Sequence, residues 1–149
     1  HQTVSSKIAR DLYAGIGLRM DYHWRISDTT TMNKPPFGFN DYGFTRSSLS
    51  NGFSLNLLYD TRRNAVHPEG GQGYFQTILR NSSTILGSST NWSSLTVDAR
   101  KYFSFPQSSS NVLAFWSYNV LTLGGMPPYL VLPHTAVDPF KNTGRGYIQ

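Results

Sequence analysis

The sequence has no cysteine, which excludes disulfides, thiolate metal sites and cysteine nucleophiles. Charge is sparse. Asp, Glu, Lys and Arg make up 14% of the chain, against roughly a quarter of residues in soluble globular domains. Acidic residues are the scarcer sign, 8 against 13 Lys and Arg, for a formal net charge of +5. The basic residues are scattered, with Arg62-Arg63 and Arg100-Lys101 the only adjacent pairs. A nucleic-acid binder concentrates its cations in a patch, so no nucleic-acid partner is expected. No apolar run reaches the length of about 18 residues that a membrane helix needs. No segment carries a convincing helical period either.

Catalytic and metal-binding patterns are missing too. His1, His23, His67 and His134 fall in different segments without ligand spacing, so no metal or other cofactor is expected. There is no Gly-x-Ser-x-Gly elbow. "GGQG" and "GIG" lack the strand–loop–helix context of a phosphate cradle. The chain is not expected to be an enzyme.

What the chain does have is aromatic residues, at 14%, and long alternation. In "LYAGIGLRMDYHWRI" the even positions are Leu12, Ala14, Ile16, Leu18, Met20, Tyr22, Trp24 and Ile26. The odd positions include Arg19, Asp21, His23 and Arg25. Period-two alternation over fifteen residues exceeds the usual soluble strand of about 5 or 6. It suits a membrane-crossing strand of about 9–11 residues with oil on one side and water on the other. Tyr22 and Trp24 lie near one end of the apolar face, where an interfacial girdle falls.

The pattern predicts an all-β fold, an antiparallel section of a transmembrane β-barrel. Strands are expected at about 11–26, 53–62, 73–81, 93–105 and 112–123, with a long loop over 124–149. The connections after the first, third and fifth of these read as long or Ser/Gly-rich, and the other two as tighter. On this parity Asp60, Arg62, Asp98, Arg100, Arg19 and Asp21 form a charge lattice on the inner, lumenal face. Asp60/Arg62 and Asp98/Arg100 are each two apart, so each pair shares a strand face.

Three segments together resemble the BamA/TamA-type outer-membrane assembly factors, the bacterial surface antigen family. They are "LLYDTRRNAVHPEGGQGYFQ" (Leu57 to Gln76), "LTVDARKYFSF" (Leu95 to Phe105), and the stretch from Asn111 to Gln149 that carries "RGY". The resemblance covers about two-thirds of the chain, from Gly52 to the end. It implies a barrel in the bacterial outer membrane that inserts or translocates unfolded or partly folded outer-membrane protein clients. It also implies that Arg145, Gly146 and Tyr147 belong to a loop that folds back into the lumen. There Arg145 would meet acidic groups, for which Asp60 and Asp98 are the candidates in this chain. One departure is Gly144, where many relatives carry a branched apolar residue.

Five strands are fewer than the eight or so of the smallest single-chain barrels. The chain is therefore expected to be part of a longer protein. Its partners would be outer-membrane lipid, the remaining barrel strands, periplasmic domains and the clients. Two alternatives compete: a barrel scaffold for a lipid-modifying enzyme, and a soluble β-sandwich binding module.

Overall fold

A computed structural model describes residues 1–26, 45–107, 109–128 and 130–131. These form one antiparallel sheet of six strands in meander order. The strands are β1 (Gln2–Ala9), β2 (Leu12–Trp24), β3 (Ser47–Asp60), β4 (Gly73–Ser82), β5 (Trp92–Ser104) and β6 (Val112–Gly125). Among the described residues the only helical piece is a 3-10 turn at Thr84–Leu86. It is capped by the Ser83 hydroxyl and stopped by Gly87 at φ 89°, a left-handed conformation that suits glycine. The first and last strands do not pair among these residues, so the sheet is open.

Six strands replace the five expected. The extra one, β1, reads "QTVSSKIA" and carries only Val4 and Ile8 as large apolar residues. Its alternation is too thin to recognise alone. It exists because β2 offers it an edge, from Gln2 opposite Leu18 to Lys7 opposite Tyr13. A tight turn at Arg10-Asp11 closes the pair, with Asp11 at φ 59°.

The second difference is the start of β3. The stretch Ser47–Gly52 reads as polar loop, yet it is strand. It pairs with β2 from Trp24 opposite Ser47 to Arg19 opposite Gly52. Its other edge outruns β4, and the 83–91 connection takes over there. Ser89 N–H donates to Leu49 O at 2.7 Å, and Ser83 N–H to Asn51 O at 3.1 Å. The Ser88 hydroxyl accepts from Asn51 N–H at 2.6 Å.

Two further expectations need correction. β2 ends at Trp24 and not at Ile26, because Arg25 turns to φ 54°. Connection lengths do not alternate as expected: 61–72, after β3, is longer than 83–91, after β4. The last residues of the 61–72 segment lie along β5. Gly71 N–H donates to Tyr102 O at 2.9 Å, and Tyr102 N–H to Gln72 O at 3.1 Å.

Register fixes which side chains share a face, since directly paired residues point the same way. Six aliphatic residues line up across the whole sheet: Val4, Ile16, Leu55, Leu79, Leu95 and Leu121. Among the described residues, packing between elements is almost all between neighbouring strands, with a small contact of the 3-10 turn on β3. Nothing described covers the aliphatic face: Ile16 is 68% exposed and Leu55 58%.

The opposite face is the more buried one. Its core holds Trp92 at 2% exposure, with Tyr102, Ser50, Ser54, Arg80 and Asp98 also buried. A single sheet buries one face only by curling, so this face is concave. Arg19 on β2 lies within electrostatic range of Tyr118 on β6, four strands away along the sheet.

Candidate functional site

The candidate site is the pair of faces, one apolar and open, the other polar and enclosed. On the open face, aromatic side chains lie on either side of the aliphatic row, toward the two ends of the strands. Tyr22 and Trp24 stack at 5.5 Å at the end bearing the 25–46 connection. Tyr59, Phe75, Phe103 and Phe115 mark the end with the Arg10-Asp11 turn. Phe103 and Phe115 meet edge to face at 5.8 Å. The exposed residues of this face form one contiguous apolar patch, where soluble monomers rarely expose more than a few hundred Å².

The enclosed face carries the charges. One register row runs Asp60–Tyr74–Arg100–Trp116 across β3 to β6. Arg62 lies two residues past Asp60 and grips it bidentately, Nε to Oδ1 at 2.9 Å and Nη2 to Oδ2 at 2.8 Å. Arg100 does the same to Asp98, at 2.9 and 2.6 Å. The Tyr74 ring lies between the two guanidiniums, 4.3 Å from Arg62 and 5.1 Å from Arg100. Arg100 also lies 4.7 Å from the Trp116 ring, whose Nε1–H donates to Asp98 at 2.9 Å. Bidentate geometry and ring stacking both suit arginine better than lysine. The hydrogen bond with Asp60 pushes the Arg62 guanidinium above its ordinary range, with burial opposing. It stays charged at any working pH.

A second network lies toward the other end. Arg80 on β4 reaches across β3 to Asp21 on β2 at 2.6 Å. It also donates to the Ser50 carbonyl at 3.2 Å and the Ser82 hydroxyl at 3.3 Å. The indole of Trp92 lies 4.6 Å from its guanidinium and donates to Ser50 Oγ at 3.3 Å. Such long reaches need small residues beneath them. On this face β3 supplies Ser48, Ser50, Gly52 and Ser54. A Cβ at Gly52 would collide with the Asn81 backbone of β4.

All six expected lattice residues thus lie on the enclosed face, and the two pairs spaced by two along a strand are joined while Asp21 takes a partner from another strand. Asp60 meets Arg62, and Asp98 meets Arg100. Asp21 meets Arg80, and Arg19 lies beside that pair. Arg19 Nε, His23 Nδ1 and Ser48 Oγ are buried without a hydrogen-bond partner among the described residues. Groups of that kind require a wet or polar interior. Arg25, expected to point inward, lies past the end of β2. Arg145, Gly146 and Tyr147 lie outside the described residues.

Sequence reading missed the aromatic partners Tyr74, Trp92 and Trp116. Tyr74 and Trp116 fall on one row with Asp60 and Arg100, but only the register reveals it. Among the described residues no three metal-ligating side chains come together. Compared with protein-family models, curated proteins and solved structures, the chain matches none.

Proposed function

We propose that this sheet is a section of a transmembrane β-barrel in a bacterial outer membrane, with the aliphatic face on lipid and the charged face on the lumen. The observation that carries this reading is the contrast between the faces. Aliphatic side chains form an unbroken row on one side, exposed except for the half-buried Leu95, and paired charges lie among aromatic rings on the other. In hydrocarbon the backbone hydrogen bonds must be satisfied internally, and a strand ladder does so. A β-sandwich would need a second sheet over the aliphatic row, and the described residues form a single sheet.

The protein acts, on this proposal, as an assembly factor that inserts or translocates client outer-membrane proteins and is not an enzyme. Support comes from the resemblance of the 57–76, 95–105 and 111–149 segments to the BamA/TamA-type family. The mechanism would be local thinning of lipid together with strand templating, so that a client's backbone groups are paired as it enters. Arg145, Gly146 and Tyr147 would form the loop motif in the lumen.

The test is client folding. A urea-denatured outer-membrane barrel is diluted into phospholipid vesicles with or without the protein, and folding is followed by protease protection. The expected result is acceleration of about tenfold, equivalent to about 1.4 kcal/mol off the barrier. Equal rates with and without the protein would overturn the assembly role.

A further inference from the structure

At the Arg10-Asp11 turn end the sheet has a groove of about 940 Å³, lined by residues of the apolar face and, at its border, by Tyr74, Arg100 and Trp116 of the enclosed one. It lies beneath the 61–72 connection, and its lining mixes two chemistries. Phe75, Ala99 and Phe115 are apolar, while Arg10, Arg63 and Lys101 are cationic. Ala99 stands opposite Phe75 on one side and Ser117 on the other, so small residues floor a channel between aromatic walls.

The two arginines are only loosely engaged, and Lys101 is held by one backbone carbonyl. The Lys101 ammonium donates to the Gly71 carbonyl at 2.8 Å and lies 5.9 Å from the Phe103 ring. Arg10 lies 3.6 Å from Asp11, and Arg63 lies 3.9 Å from Glu69. Both arginine side chains are almost fully exposed, at 95% and 84%. Exposed pairs at such distances are worth little, so these guanidiniums are available to a better anion. Arg100 also borders the groove but is already held by Asp98.

Depth fits the length of a lipid. Lys101 lies six residues along β5 from Leu95, about 20 Å of strand. At a tilt of about 45° that is about 14 Å of depth, near half of a hydrocarbon core of about 30 Å. With Leu95 near the bilayer centre, Lys101 stands at the headgroup level. Lysine on a mostly apolar face belongs there, its stem in hydrocarbon and its ammonium among phosphates.

We infer that this groove binds one anionic phospholipid, its headgroup phosphate on Lys101, Arg10 and Arg63 and one acyl chain along Ala99, Val97 and Leu95. The site rests on the barrel reading above and adds a stoichiometric ligand to it. Backbone capture of Lys101 by Gly71 holds the ammonium beneath the connection and so sets where the phosphate sits.

The experiment folds the full chain in phosphatidylcholine nanodiscs and titrates phosphatidylglycerol. Native mass spectrometry after release counts the lipids retained. One phosphatidylglycerol per chain is expected, held about tenfold more weakly by a K101Q/R63Q double variant. Arg25→Gln, at the opposite end of β2, is expected to retain it fully. Inorganic phosphate at millimolar concentration is expected not to compete, because the acyl chain contributes to binding. Retention of phosphatidylglycerol no better than phosphatidylcholine, in a chain that does enter nanodiscs, overturns the lipid site and leaves the barrel reading intact. Displacement by inorganic phosphate alone overturns it as well. A chain that stays folded and monodisperse in plain buffer removes both readings.

Discussion

On the proposed lipid-facing placement, Leu55→Arg is expected to destabilise the protein in phospholipid vesicles by about 2–4 kcal/mol, the cost of an arginine facing hydrocarbon near mid-depth. Leu55 lies in the middle of the aliphatic row, between Ile16 and Leu79. Its side chain is open, and nothing in the sheet covers it. In water such a position would accept arginine at almost no cost. Val66 in the 61–72 connection is even more exposed, at 78%, and serves as the control. Val66→Arg stays within about 0.5 kcal/mol of the parent. Urea unfolding in phospholipid vesicles separates the two. With a urea dependence of about 1–3 kcal/mol per molar, the Leu55 variant loses on the order of 1–2 M in midpoint. Equal midpoints for both variants would mean that Leu55 does not face lipid.

Asp98→Ala is the second large effect. Asp98 is 3% exposed and accepts from Arg100 twice and from Trp116 once. Its loss removes the bidentate carboxylate from a part-buried guanidinium packed near the Tyr74 and Trp116 rings. Breaking a buried pair from one side costs about 3–5 kcal/mol. Asp98→Asn costs less, because its amide oxygen still accepts from Trp116 and one of the Arg100 donors. The double change D98A/R100M recovers much of the loss, since no uncompensated charge is left. Urea midpoints of the three variants check the ordering. A single variant as stable as the parent would mean that this lattice is ornamental.

The two faces were legible in the sequence because β2 alternates without a break from Leu12 to Trp24. A side chain's face follows from parity alone, so Arg19, Asp21, Asp60, Asp98 and Arg100 could be placed on one side before any register was known. Strand pairing was not legible. The partner of Asp21 is Arg80, two strands away, and that contact depends on Ser50 and Gly52 beneath it being small. The sandwiching of Tyr74 depends on a register set by the whole 61–72 connection. β1 was missed because two apolar residues in eight carry little periodic signal. The Ser47–Gly52 start of β3 was missed because its residues are turn-formers. They are strand here because β2 and the 83–91 loop take up their backbone hydrogen bonds on both edges.

The chain's lack of cysteine permits the most direct test of the two-faced sheet. Single cysteines are introduced one at a time from Leu12 to Trp24, spin-labelled, and examined in phospholipid vesicles for collision with oxygen and with a water-soluble nickel chelate. Even positions through Met20 are expected to collide with oxygen, and odd positions with the chelate or with neither, in opposite phase with a period of two. Chelate accessibility peaking at Ile16, Leu18 and Met20 would place the aliphatic row in water and contradict the account.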